Sequence, residues 1–193
     1  SSPVFENPGR NMPIEHHYRN FLFDGNTNQM LSVVFKRNAC VRVYGAGDRV
    51  SPGTSDRIKD TLYLSDLSLI DPQPATAARP PSVVGAEPEH GWCYYFEKAD
   101  LARQQQDWKT VSTLAEDTLS LNLMAQDASE NLVFIEGLMQ TGQWQLAQQF
   151  STRTAQDEAV KLQVCDLWQS GSGNMDEAGK NAWQQLSAQL TCH

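Results

Sequence analysis

The stretch WCYYFEKADLARQQQDWKTVSTLAEDTL, residues Trp92 to Leu119, decides the fold that the sequence predicts. A polar turn from Gln104 to Asp107 divides it, and helical spacing resumes at Trp108. Apolar residues in its first half recur at the spacing of one helix face: Trp92, Tyr95, Phe96, Ala99 and Ala102. The stretch therefore predicts two antiparallel helices joined by a short turn.

The same arrangement recurs twice further along the chain. Each recurrence is an apolar stripe, a short polar or glycine-containing turn and a second stripe: residues 132–139, 141–143 and 144–150, then 160–168, 171–174 and 175–190. Roughly three stacked hairpins are needed before a helical repeat array becomes stable by itself. The C-terminal half of the chain therefore predicts an all-α array of about three helical hairpins.

Trp108 and Trp144 lie 36 residues apart, each directly after a polar turn. In this spacing, and in the turns Gln106-Asp107-Trp108 and Gly142-Gln143-Trp144, residues 91–190 resemble the tetratricopeptide repeat (TPR) family, whose unit is about 34 residues long. Ala99 occupies the place where that family has a small residue, whereas Ile135 stands there in the second unit. The resemblance implies an array whose concave surface binds a segment of another protein.

A second resemblance concerns the run GWCYYFEKADLARQQQDW, residues 91–108. It is similar to a segment of the soluble C-terminal domains of large bacterial polytopic membrane proteins, including uncharacterised glycosyltransferase-like ones. This similarity implies an extracytoplasmic domain, tethered to the membrane through a segment upstream of Ser1. A cytoplasmic location is the alternative. The similarity assigns no catalytic residue, since any transferase chemistry would belong to the membrane part.

Charge is distributed unevenly along the chain. Residues 1–80 hold nine Lys or Arg against eight Asp or Glu, whereas residues 81–193 hold six against fifteen. The acidic helical half argues against nucleic-acid binding, because phosphate contacts need clustered Lys and Arg. It suits a basic peptide or protein partner, or it serves solubility alone. No apolar run reaches the length of about 18 residues that a membrane span requires, so we expect no direct membrane insertion.

Four cysteines, Cys40, Cys93, Cys165 and Cys192, allow two bridges in three connectivities. A bridge from Cys165 to Cys192 would close the last hairpin, and one from Cys40 to Cys93 would hold the N-terminal part on the first repeat helix. Both would imply an oxidising compartment. The alternative is four buried thiols that pack as small apolar residues.

The residues before the repeats predict a small α/β portion, and the whole chain is expected to be α+β. We expect an extended arm over residues 1–14, the α/β portion over 15–70, a proline-rich linker over 71–91 and the helical domain over 92–193. In the α/β portion, a turn at Asp24–Thr27 is expected to follow an apolar cluster at 18–23. Strands at Met30–Phe35 and Cys40–Tyr44 should pair as a hairpin. A short helix capped by Thr54 or Ser55 should then lead into extended chain up to Ile70.

No catalytic, cofactor-binding or metal-binding residues are predicted. The segment Gly45–Asp48 lacks the third glycine of a dinucleotide-binding motif, and Pro52-Gly53 prevents an immediate helix, so a plain loop explains it better. The set Glu15-His16-His17 holds the densest group of metal-ligating side chains, but adjacent side chains on a helix diverge by about 100°. We therefore expect neither enzyme activity nor a cofactor or metal in this chain.

The expected function is protein–protein interaction on the helical surface, with a peptide, a partner domain or another region of the parent protein. Tyr94 lies off the apolar stripe, and the predicted interaction surface comprises Tyr94, Glu97, Arg103, Glu130 and Gln140. Two alternatives stay open. One is an accessory or sugar-binding domain of a membrane glycosyltransferase-like enzyme, centred on Asp24–Asn28 and Gly45–Asp48; the other is a structural spacer that binds nothing. The oligomeric state does not follow from the sequence.

Overall fold

Two compact units make up the protein in the computed structural model, which describes residues 9–50, 53–71, 85 and 89–192. One unit comprises residues 1–35 and 41–86, and the other comprises residues 36–40 and 87–193. Strands occur in the first unit and most helical residues in the second, which confirms the predicted α+β class. The short segment 36–40 belongs to the helical unit although both of its flanks belong to the other.

The N-terminal unit contains two antiparallel hairpins. Strands β1 (Pro13–Tyr18) and β2 (Phe21–Asn26) form the first, and β3 (Ser32–Val34) and β4 (Arg42–Tyr44) form the second. In the second hairpin Val33 lies opposite Val43. The predicted pairing of the segments 30–35 and 40–44 is thus confirmed.

The first hairpin corrects the prediction for residues 1–27. Asp24 and Gly25 lie within β2, opposite Glu15 and Ile14, so the turn predicted at Asp24–Thr27 is wrong. The chain reverses instead at residues 19–20, where Arg19 adopts a left-handed φ of 54°. Arg19 and Asn20 form a polar pair within residues 18–23, which were expected to form one apolar cluster. The predicted extended arm also ends early, because β1 begins at Pro13; residues 1–8 of that arm lie outside the described part.

Residues 53–71 form a short helix, α1 (Asp56–Thr61), followed by two 3-10 turns at Leu62–Leu64 and Leu67–Leu69. The helix was predicted, but the extended chain expected after it is wrong. Asp66 explains the second turn, since its carboxylate accepts bonds from the Ser68 hydroxyl at 2.6 Å and the Ser68 amide at 3.0 Å. Both bonds lower the pKa of Asp66, and the bond from the Ser68 hydroxyl has the larger effect. Of the predicted linker, residues 72–84 and 86–88 lie outside the described part.

The helical unit consists of three helical hairpins, as predicted. Its helices are α2 (Trp92–Gln104), α3 (Trp108–Ser120), α4 (Asn131–Gln140), α5 (Trp144–Thr154), α6 (Glu158–Gly171) and α7 (Glu177–Leu190). Helix α2 packs on α3, α3 on α4, and α4 on α5. The last hairpin is placed differently, because α7 packs against α5 as well as against α6.

Side-chain caps explain where three of these helices begin. Asp107, Asp157 and Asp176 each accept a bond from a backbone amide in the first turn of α3, α6 and α7 respectively. The Thr110 hydroxyl also donates to Asp107, and this bond, followed by that from the Thr110 amide, lowers the pKa of Asp107. The predicted turn at 104–107 ends at the cap Asp107, and the predicted turn at 141–143 contains Gly142, whose φ of 72° is left-handed.

Gly137 permits a close contact between α3 and α4 that an alanine would obstruct. A Cβ atom on Gly137 of α4 would lie 2.3 Å from Cγ1 of Val111 on α3. Ile135, which occupies the small-residue place of the TPR resemblance, is fully buried as a large core residue. The approach of α3 to α4 therefore depends on Gly137, two residues away from the predicted position.

Replacing Gly137 by alanine tests this contact. Because 2.3 Å is far below an ordinary contact, overpacking should cost about 2–3 kcal/mol, the upper part of its usual range. Alanine gains about 1 kcal/mol in helix propensity, so Gly137→Ala should lose about 1–2 kcal/mol of unfolding free energy. Urea denaturation measures it. The control is Gly173→Ala, where a Cβ meets no atom within 4 Å. A Gly137→Ala variant as stable as the unsubstituted protein would contradict the packing.

Candidate functional site

A groove runs along α5 on the surface of the helical unit. It consists of three hollows that share lining residues: one between the start of α5 and α7, one between the middle of α5 and α7, and one at the end of α5. The first and second share Gln145, Gln148 and Gln185, and the second and third share Met124, Arg153 and Gln156. We call this continuous surface the α5 groove.

Amide side chains dominate the middle of the α5 groove: Gln145, Gln148, Gln149, Gln156, Gln185 and Gln189. A glutamine amide offers two donors and one acceptor oxygen, so it can pair with both polar groups of a peptide bond. Gln148 also holds the walls together, because its Nε2 donates to the Ala182 carbonyl of α7 at 2.8 Å. Among the groove's lining residues the charged ones are Arg153 and Asp157, so the surface has almost no net charge.

Tryptophans fix α5 in place. The Trp144 ring covers Gly179 of α7, where an added Cβ would lie 2.7 Å from a ring carbon. Trp168 of α6 donates its Nε1 proton to the Ser151 hydroxyl of α5 at 2.8 Å. The Trp168 ring lies between those of Trp144 and Trp183, with centroids 6.2 Å and 6.1 Å away. One face of α5 is therefore held against α6 and α7, which leaves the glutamine face open.

Two polar atoms at opposite ends of α5 are buried without a hydrogen-bond partner in the described part of the chain, Trp144 Nε1 and Thr154 Oγ1. Both residues line the α5 groove. Buried polar groups normally have partners, so such atoms mark places where a bound molecule can supply one. Ten residues of helix span about 15 Å, a distance that an extended peptide of about five residues covers.

The buried carboxylate of Glu130 holds Trp92, which is a wall residue at the Thr154 end of the groove. Glu130, which is 1% exposed, accepts a bond from the Cys40 amide at 2.7 Å on Oε1 and from Trp92 Nε1 at 2.6 Å on Oε2. The disulfide between Cys40 and Cys93, with Cα atoms 5.1 Å apart, joins the same two segments. Trp92 lines the groove. Its indole ring is therefore held in one orientation by groups that lie outside the groove.

The predicted interaction surface lies elsewhere. The prediction that Glu130 lies on the interaction surface is wrong, because its carboxylate is buried and accepts the two bonds described above. Tyr94 is half-buried and stacks on His90 with ring centroids 3.5 Å apart, and the Arg103 guanidinium pairs with Asp100 at 2.8 Å. Glu97 and Gln140 are exposed. None of the five predicted residues lines the α5 groove. The sequence signal for the α5 groove was the recurrence of glutamines at helical spacing in α5 and α7.

Polar groups at the alternative sites in the N-terminal unit serve local structure. Asn26 and Asn28 both donate to the Asn11 side-chain oxygen at 3.3 Å. The amide of Gly45 donates to Asp48 Oδ2 at 2.7 Å, which makes this segment the plain turn that was predicted. These contacts use groups that a sugar would otherwise recognise.

His16 and His17 lie in strand β1 rather than on a helix, so their side chains point to opposite faces. In the described ranges no group of three or more His, Cys, Asp or Glu residues is placed to hold a metal ion. Each helix of those ranges is also too short or too polar to cross a membrane.

Both bridges considered from the sequence are present in the structure. Cys40 pairs with Cys93, and Cys165 pairs with Cys192 across Cα atoms 5.7 Å apart. The second bridge joins α6 to the residues after α7 and closes the last hairpin, as expected. The alternative of four buried thiols is therefore wrong.

Comparison of the chain with family models, curated proteins and solved structures found no match. The TPR resemblance and the similarity to tails of bacterial membrane proteins thus remain predictions.

Glu130→Gln tests the buried carboxylate. The Cys40 amide and the Trp92 indole donate to different carboxylate oxygens, whereas glutamine has a single acceptor oxygen, so one of these buried N–H groups would face the new NH₂ group. We expect a loss of about 2–4 kcal/mol in unfolding free energy by urea denaturation, and a shift of the Trp92 indole N–H resonance. Glu116→Gln, on the exposed face of α3, is the control and should change stability by less than about 0.5 kcal/mol. Equal stability of the two variants would contradict the network.

Proposed function

We propose that this chain is a protein–protein interaction domain whose helical unit binds an extended peptide, or a partner domain that presents one, in the α5 groove. The observation that supports the proposal most is the pair of unpartnered buried polar atoms, Trp144 Nε1 and Thr154 Oγ1, at the two ends of a glutamine-lined groove. An extended segment of about five residues would cover the rise of about 15 Å along α5 that separates Trp144 from Thr154. The TPR resemblance agrees with this proposal.

The lining chemistry favours recognition of the peptide backbone. Gln145, Gln149 and Gln189 are exposed on facing helices, where their amides can donate to peptide carbonyls and accept from peptide N–H groups. Because the groove itself is almost uncharged, shape and backbone bonds would select the bound segment. The surrounding acidic residues, fifteen Asp or Glu against six Lys or Arg over residues 81–193, would favour partners with basic flanks.

The two disulfides support an oxidising, extracytoplasmic site of action. In this proposal the domain is the extracytoplasmic portion of a bacterial membrane protein, and its ligand is a partner or another region of the parent. The tether upstream of Ser1 rests on the resemblance of residues 91–108 alone.

Selection of random heptapeptides on the intact, disulfide-bonded protein tests the groove. Gln149 and Gln140 are both exposed helical glutamines, but Gln149 lines the groove and Gln140 belongs to the surface predicted from the sequence. Gln149→Arg fills the groove with a long side chain and should weaken the selected peptides by about tenfold or more, measured by calorimetry. Gln140→Arg should leave their affinity unchanged. The reverse ranking, or no peptide selected at all, would reject the proposal.

The proposed compartment is tested by counting thiols. When the protein is isolated from the cells that naturally make it and denatured without reductant, none of its four cysteines should react with an alkylating reagent. In the chain-entropy account, separations of 53 and 27 residues correspond to about 4 and about 3.5 kcal/mol of stabilisation. Alanine pairs at Cys40 and Cys93 should therefore lower the melting temperature slightly more than alanine pairs at Cys165 and Cys192. Four reactive thiols would rule out the oxidising assignment.

A further inference from the structure

The hollow at the end of α5 is a pocket of 310 Å³. Its walls are mainly apolar and come from Trp92, Leu123, Ala128 and the buried ring of Phe150. Asn131 and Thr154 are its buried polar residues, and Met124, Arg153, Gln156 and Asp157 also line it. We call it the Thr154 pocket. A mainly apolar lining with few polar groups is typical of a site that takes one well-defined side chain or small molecule.

We infer that the Thr154 pocket takes a tyrosine or tryptophan side chain of the peptide bound in the α5 groove. The inference rests on the proposed function, and it adds the residue type that the groove selects. Two independent features of the pocket lead to it, the aromatic and sulfur groups of its walls and the unpartnered hydroxyl of Thr154.

An aromatic guest fits the walls better than an aliphatic one. The rings of Trp92, Phe134 and Phe150 already form an array, with centroids 5.3 Å and 5.9 Å apart, and two of these rings line the pocket. The Trp92 and Phe134 rings meet edge to face and the Phe134 and Phe150 rings are tilted, and a guest ring would add a further aromatic contact of this kind. Met124, which is 60% exposed, offers a sulfur contact to a ring edge. The guanidinium of Arg153 can lie over a ring face as a cation.

The Thr154 hydroxyl requires a polar atom on that ring. Thr154 is 1% exposed, and its Oγ1 has no hydrogen-bond partner in the described part of the chain. A tyrosine hydroxyl or an indole N–H can donate to this oxygen, whereas a phenylalanine ring would leave it unpaired. A site with a buried polar group rejects analogues that cannot bond to it. The pocket should therefore prefer tyrosine and tryptophan over phenylalanine.

Side-chain analogues test the pocket without any peptide. In NMR titrations of the intact protein, p-cresol and 3-methylindole should shift the signals of Thr154, Ala128 and the Met124 methyl group. Toluene, which has the ring of p-cresol without the hydroxyl, should bind about tenfold more weakly. Thr154→Val keeps the side-chain shape and should abolish the preference for p-cresol over toluene, while Thr154→Ser should keep it.

The same variant gives a readout that does not depend on binding. Because Thr154→Val removes a buried hydroxyl without a partner, it should leave the melting temperature unchanged or raise it. A lower melting temperature would mean that the hydroxyl already has a partner, which overturns the inference. Equal affinity for p-cresol and toluene, or shifts confined to other surfaces, would overturn it as well.

The outcomes also separate this inference from the proposed function. If the analogues do not bind at the pocket but Gln149→Arg still weakens selected heptapeptides, the peptide groove stands and the aromatic selectivity fails. If p-cresol binds at the pocket and no heptapeptide can be selected, the pocket stands as an aromatic site and the peptide-binding function fails. Enrichment of tyrosine or tryptophan in the selected heptapeptides would support both.

Discussion

The hydrogen bonds to the buried carboxylate of Glu130 are the interaction on which the end of the helical unit that carries the Thr154 pocket depends. It accepts one bond from the Cys40 amide and one from the Trp92 indole, and thereby joins the segment 36–40 and the start of α2 to the residue just before α4. Loss of either donor would leave a buried acceptor oxygen without that partner, so the two bonds hold the three segments in this arrangement. The Cys40–Cys93 bridge holds the same segments covalently. Together they make Trp92 a fixed wall rather than a mobile surface ring.

Close helix contacts determine which face of α5 remains open. Gly137 lets α4 approach Val111 of α3, and Gly179 receives the ring of Trp144. With Trp168 bonded to Ser151, much of the apolar side of α5 packs in the core, whereas Phe150 and Thr154 of that side line the Thr154 pocket. In the described ranges Gln145 and Gln149 are exposed, and the glutamine side of α5 forms the floor of the α5 groove. Thus the groove follows from packing constraints on the opposite face of the same helix.

Local patterns in the sequence predicted the helical hairpins, their turns and the second strand hairpin, because apolar period and turn residues are properties of adjacent positions. The first strand hairpin was missed, since the turn at Arg19-Asn20 interrupts an apolar cluster with only two polar residues. Burial of Glu130 and the role of Gly137 depend on partners at distant positions in the chain. The spacing of apolar residues along the sequence does not identify such partners. The α5 groove was missed for the same reason, although its glutamines were visible at helical spacing in the sequence.

In the proposed function a bound peptide lies along α5, and intermolecular nuclear Overhauser effects test this placement most directly. With a selected heptapeptide bound to the intact protein, we predict contacts to the Met124 methyl group at one end of the groove and to the Ala178 methyl group at the other. Contacts instead to Leu162, an apolar residue on α6 that is 74% exposed, with none to Met124 or Ala178, would contradict the account.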